Sequence, residues 1–186
     1  MEKELLRIQQ TIKNSDNLHI SSGDSSESVL GMNNYTGIVK YHPEELVITI
    51  KAGTSINDTK ELLSNNNQAL PFIVDDRVKS IGSAYAQGGC DISDYVLGVQ
   101  LITGDGDVLN FGGQVMKNVA GYDVSRLLVG SRGKIALITQ VSFKVLPIKY
   151  VKKMNFSKKT KIAKSKLHKD IENKIKKVFD PRGVFV

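Results

Sequence analysis

Cys90 is the single cysteine of this 186-residue chain, which therefore has no internal disulfide framework and no ligands for a cluster of its own. Histidine is equally scarce: His19, His42 and His168 are scattered, and none sits in a metal-ligand spacing. No apolar run approaches the roughly 20 residues of a membrane span. The opening Met1-Glu2-Lys3-Glu4 is charged, so no secretory leader is expected and a cytoplasmic protein is. A nucleophile elbow, a Walker A loop and a Rossmann fingerprint are all missing. Asp75-Asp76 are adjacent carboxylates on a loop, which water usually solvates. These gaps exclude hydrolytic or metal chemistry run by the chain's own side chains. No catalytic residue and no metal site is assigned.

Acidic residues are few in one place only. Of 26 basic and 19 acidic residues, twelve lysines and only Asp170 and Glu172 fall between Lys149 and Lys177, leaving 14 basic against 17 acidic elsewhere. A near-neutral domain is thus followed by a basic appendix. Nucleic-acid arms usually interleave arginines or aromatics for base contact, and this stretch has no arginine. It reads as a solvated connector, and no nucleic-acid partner is expected.

What is present is a rhythm of short elements. Leu5, Ile8 and Ile12 mark an amphipathic helix over residues 3–13. Leu18–Ile20, Gly37–Tyr41 and Leu46–Lys51 read as strands, the last two joined by the turn His42-Pro43-Glu44. Thr54 is placed to cap a helix over Ser55–Ser64, and Ile81–Gln87 predicts a short helix. Val96–Thr103 is a buried strand that turns at Gly104–Asp107 into Val108–Phe111. Asp123–Leu128 starts another helix, broken at Gly130-Ser131-Arg132-Gly133. Ile135–Leu146 reads as one long strand, and 171–179 as a final helix. An α+β domain fits this order better than a doubly wound fold.

The remaining signal is a set of glycine and small-residue turns after strands. Ser21–Ser26 offers backbone N–H groups and hydroxyls to a phosphate. Gly82, Gly88, Gly89, Gly121 and Gly133 let backbone approach a ligand closely. Together they suggest a large dinucleotide lying across one domain.

Longer stretches carry a resemblance. Asp94–Gly106 (DYVLGVQLITGDG) resembles the second half of a PCMH-type FAD-binding domain, and Phe111–Asp123 (FGGQVMKNVAGYD) with Ser125-Arg126-Leu127 and Val129-Gly130-Ser131 closely resembles the FAD-binding E subunit of bacterial glycolate oxidase. That subunit carries an FAD-binding domain of the vanillyl-alcohol oxidase/PCMH type. His42–Thr49 with Ala52-Gly53-Thr54 resembles the family's early strand pair, and Lys176–Phe185 its C-terminal element. The likeness implies two small mixed sheets with short flanking helices. Residues 1–147 would form the FAD-binding domain, 148–170 a lysine-rich connector replacing the cap domain, and 171–186 a C-terminal helix and tail.

The resemblance also implies site residues. Ser22, Gly23, Asp24, Ser25 and Ser26 would form the first diphosphate loop. Gly82, Ser83, Gly88 and Gly89 would form the second FAD-contacting stretch. Asn118, Gly121, Tyr122 and Asp123 would line the flavin, and Gly133, Ile135 and Ile138 the adenine end. Departures accompany these: Asp24 places a negative charge near a diphosphate, Ser83 and Ala136 stand where glycines are expected, and Gln140 replaces a glutamate. No histidine or cysteine falls at an attachment point, so FAD is expected to bind non-covalently. The implied role is the FAD-binding subunit of a 2-hydroxy-acid dehydrogenase complex oxidising glycolate or a related acid, not expected to turn over alone. A larger flavoprotein subunit and an iron–sulfur subunit would be its partners, and any membrane contact would be peripheral, at the inner face, through them. A degenerate scaffold that has lost FAD is the alternative.

Overall fold

The computed structural model describes residues 3–88, 91–113, 123–156 and 166–186. The heptad-like spacing near the N-terminus forms helix α1 (Lys3–Lys13), which buries Leu5, Ile8 and Ile12. Strands β1 (His19–Ser21) and β2 (Val29–Gly31) pair in parallel, with Ser21 opposite Gly31. The hairpin β3 (Ile38–His42) and β4 (Val47–Lys51) follows, then α2 (Ile56–Asn65) and the two-residue β5 (Gln68–Ala69). Next come α3 (Ile81–Gln87), α4 (Ile92–Tyr95), β6 (Val96–Ile102), β7 (Val108–Gly112) and α5 (Val124–Leu127). The chain closes with β8 (Leu137–Lys144), β9 (Leu146–Pro147), α6 (Ile148–Val151) and α7 (Lys166–Phe179).

The architecture is α+β. Among the described residues the main sheet has the order β3-β4-β8-β6-β7, antiparallel at every step. The expected two small mixed sheets resolve into this sheet and two two-stranded pairs, β1-β2 parallel and β5-β9 antiparallel. Side-chain alternation fixes which face is covered. Ile48 pairs with Phe143 and Ile50 with Val141, and these join Val99, Leu101, Ile81 and Tyr85 in one core. The opposite face carries a polar ladder. The Thr49 and Ser142 hydroxyls lie 2.8 Å apart, and Gln140 Nε2 donates to Gln100 Oε1 at 2.9 Å.

A second core joins the two chain ends: Leu5, Ile8 and Ile12 of α1 pack with Leu18, Leu30, Met32, Val184 and Phe185. Phe185 pairs with Leu18 in parallel and extends the β1-β2 pair.

Several local expectations shift. Ser55, not Thr54, caps α2: its hydroxyl accepts from Asn57 N at 3.1 Å and Asp58 N at 3.4 Å. Thr54 is one residue too early, and its Oγ1 instead accepts from Gly37 N at 2.9 Å. The strand expected over 135–146 breaks after Lys144, because Val145 N donates to Leu46 O at 2.8 Å and Leu146 leaves to pair with Ala69. The last helix begins at Lys166, five residues before the expected start, inside the lysine-rich stretch. No described helix is long and apolar enough to cross a membrane.

Candidate functional site

Two adjoining cavities share Ser22 and Ser80 and form one groove. The narrow one, about 70 Å³, lies where the two cores meet. Ile20 and Met32 reach it from the second core's side, Ala136 and Ile138 from β8 and the residue before it. Four serines, Ser21, Ser22, Ser80 and Ser83, line it together with Arg132. The wider cavity, about 340 Å³, is more polar, and Ser55, Asn57, Lys60, Asp75, Asp76 and Lys79 are among its lining residues.

Small residues keep the groove open. Gly82 N donates to Ala52 O at 2.7 Å, and a Cβ at Gly82 would stand 2.8 Å from Ala52 Cβ. Ser80 caps α3: its hydroxyl accepts from Ser83 N at 3.2 Å and donates to Ser83 Oγ at 3.1 Å. Gly133 has φ +72° and packs against Ile20. An apolar slot beside hydroxyls and a guanidinium suits an aromatic ring system joined to phosphates.

Of the residues singled out in the sequence, the groove gathers Ser22, Gly82, Ser83, Gly133 and Ile138. Gly23, Asp24, Ser25 and Ser26 line neither cavity. Their loop folds over Gly31 instead: Ser25 Oγ accepts from Gly31 N at 2.9 Å, and Ser26 exchanges backbone bonds with Val29. The Asp24 carboxylate accepts from Asn33 Nδ2 and so has a neutral donor of its own. Gly88, with φ +66°, faces the backbone of Gly130 rather than either cavity. Ile135 is core, 6% exposed. Gly89, Asn118, Gly121 and Tyr122 lie outside the described residues. Residues that sequence reasoning passed over are Ser80, Ala52, Met32 and Arg132.

Asp123 caps α5: its Oδ1 accepts from Arg126 N at 3.1 Å and Ser125 Oγ at 2.6 Å, and its Oδ2 pairs with Arg126. Tyr85, fully buried, clips α3 to this cap by donating its hydroxyl to Ser125 O at 2.6 Å. Burial pushes the Tyr85 phenol far above its ordinary value near 10, and the Asp123 charge adds to the rise. Tyr85 is therefore a neutral donor, and the stability it confers is complete below pH 10 and falls as pH climbs beyond it. Tyr85→Phe leaves the Ser125 carbonyl unpaired at a cost of about 1–3 kcal/mol, a drop in melting temperature of several degrees at neutral pH. Melting curves across pH 7–11 should also show a shallower alkaline decline in the variant; parallel curves would contradict this.

The FAD binding domain family matches residues 13–112, more than half of the chain. Glycolate oxidase subunit GlcE of Escherichia coli (strain K12) is 42% identical over 127 residues, 61% of this chain and 35% of that protein. Glycolate oxidase subunit GlcD of Bacillus subtilis (strain 168) is 42% identical over 60 residues, 32% of this chain and 13% of that protein. D-lactate dehydrogenase of Anaerostipes hadrus is 26% identical over 119 residues, 59% of this chain and 25% of that protein. The chain thus spans about a third or less of the length of these relatives. With a matched segment that contains β1, Ala52-Gly53 and α3, all of which contribute residues to the groove, the chain belongs to the FAD binding domain family.

Proposed function

We propose that this chain is the FAD-carrying subunit of a 2-hydroxy-acid oxidase or dehydrogenase complex of the glycolate oxidase kind. It works on glycolate or a related acid with sister subunits and does not turn over alone. One observation carries the reading: the four serines of the narrow cavity, Ser21, Ser22, Ser80 and Ser83, all lie within residues 13–112, the segment that matches the FAD binding domain family. Ser21, Ser22, Ser80 and Ser83 are placed to bind phosphate oxygens, and Ile20, Met32 and Ile138 to cover a ring. FAD supplies the redox-active ring that accepts hydride. This chain's residues bind and orient it and exclude water from the narrow cavity.

Domain organisation follows the same reading. Residues 1–147 form the FAD domain, 148–170 the connector in the place of a substrate cap, and 171–186 the returning element. The backbone bonds of Val184 and Val186 to Leu18 support this, since they tie the tail back to β1. A larger flavoprotein subunit would supply the substrate pocket, and an iron–sulfur subunit would take the electrons.

The visible spectrum of the purified chain, alone and co-expressed with the neighbouring subunits, tests the reading. Flavin bands that co-purify and are released by acid are the expected result and also establish non-covalent binding. A protein that stays colourless with added FAD, alone and in complex, leaves only the scaffold. The internal bonding of residues 23–26 is the observation that favours that second reading.

A further inference from the structure

The chain has five arginines, and the structure gives four of them partners. Arg7 pairs with Glu4, Arg77 with Asp75 and Arg126 with Asp123, while Arg182 donates to the carbonyls of Gly104 and Ser15. Among the described residues, the guanidinium of Arg132 has none. Its backbone is nonetheless tightly fixed. Arg132 N donates to Ala86 O at 2.7 Å, and Gly130 N donates to Tyr85 O at 3.0 Å, so this turn is clipped to α3. Arg132 itself has φ +57°, between Gly130 at +84° and Gly133 at +72°.

A side chain with a Cβ is costly in that conformation, where glycine sits freely. The turn already uses glycine on both sides, yet at one of the two residues that line the narrow cavity, Arg132 beside Gly133, it holds an arginine. The same cavity is lined by Ser21, Ser22, Ser80 and Ser83. A guanidinium is a planar fork of donors that matches two phosphate oxygens at once. Hydroxyls can donate to a diphosphate but cannot offset its charge.

We propose that Arg132 is the diphosphate-binding residue of the groove, clamping the phosphates of a dinucleotide against the four serines. This rests on the FAD reading above, and it goes further by assigning the countercharge to one side chain outside the two expected loops. It also removes the electrostatic objection raised by Asp24, whose carboxylate is held by Asn33 and lines neither cavity.

The test uses the full chain freed of flavin, with FAD and ADP titrated separately by calorimetry at about 0.1 M salt. ADP carries the diphosphate without the flavin. Arg132→Gly should weaken both ligands by about tenfold and flatten the salt dependence of binding, whereas Arg132→Lys should keep part of the affinity. The ligand-free melting temperature of Arg132→Gly should be unchanged or higher by about 2 °C, because glycine accepts the positive φ without strain. Equal affinities in wild type and Arg132→Gly overturn the assignment, as does a loss for FAD with none for ADP. A ligand-free melting temperature lower by about 5 °C marks the side chain as a prop of the fold and overturns it too. Wild-type protein that binds ADP but not FAD supports the clamp and sinks the flavin reading instead; binding of neither ligand sinks both.

Discussion

Gly53→Ala is expected to lower the melting temperature by roughly 10 °C and to abolish FAD binding in the same stroke. A methyl group built at Gly53 would stand 1.8 Å from Met32 O and 2.8 Å from Tyr35 O. Both obstacles are backbone, so no side-chain rotation relieves them. Met32 and Tyr35 are the ends of one turn, with Tyr35 N donating to Met32 O at 3.0 Å, and Gly53 N in turn donates to Tyr35 O at 3.0 Å. Both side chains are buried, 4% and 1% exposed, so the turn cannot retreat without opening the second core. Overpacking of this kind costs about 3 kcal/mol or more, a large share of a typical total of roughly 5–15 kcal/mol. At about 2–4 °C per kcal/mol for a chain of this size, the fall is easily read from a thermal melt. Gly23→Ala is the control, since its Cβ meets nothing nearer than Ser21 Oγ at 3.5 Å. A Gly53→Ala melt within about 2 °C of wild type would show that the turn yields and that the groove wall is soft. FAD binding falls with the fold because Ala52 and Met32 both line the narrow cavity.

Sites and elements were legible in the sequence to different depths, for reasons that individual residues make plain. Helix α1 and the long strands announce themselves because burial imposes a period on Leu5, Ile8 and Ile12 or a run such as Val96–Ile102. Strands β2, β5 and β9 span only two or three residues, too few for any period, and exist because neighbours offer backbone partners. Glycine marks where backbone comes close, but not what it comes close to. Gly82 and Gly133 border the groove, whereas Gly88 makes room for Gly130 and Gly104 for Asp180. Asp24 looked like a misplaced charge because Asn33, nine residues on, gives no sign in the sequence that it folds back to meet it. Arg132 carries no such sign, since Gly130-Ser131-Arg132-Gly133 reads in the sequence only as the turn that breaks a helix. The signal was the pair of glycines around it, which permits the positive φ that this turn adopts.

Asp180→Ala should destabilise the chain by about 3–5 kcal/mol although Asp180 lines neither cavity of the groove. Its carboxylate is 2% exposed at residue level, and both oxygens are committed. Oδ1 accepts from Val184 N at 2.7 Å, and Oδ2 accepts from Phe185 N at 3.0 Å and pairs with Lys176 Nζ at 3.2 Å. Alanine leaves two buried N–H groups without acceptors and a lysine without its counterion. The carboxylate fits only because residue 104 is glycine; a Cβ there would overlap Asp180 Oδ1. Asp180→Asn separates charge from geometry. An amide keeps one acceptor oxygen but turns its NH₂ toward the second N–H, so it should recover less than half of the loss. Full recovery would mean that only the shape of the side chain matters. The consequence reaches the groove because Val184 and Phe185 hold β1 in place: Leu18 N donates to Val184 O at 2.7 Å, and Val186 N returns to Leu18 O at 3.2 Å. Ile20, Ser21 and Ser22 follow directly on that strand edge and line the narrow cavity. Weaker FAD binding in Asp180→Ala, at a temperature where the variant is still folded, is therefore the expected companion of the lower melting temperature. Unchanged affinity there would show that β1 keeps its position without the tail.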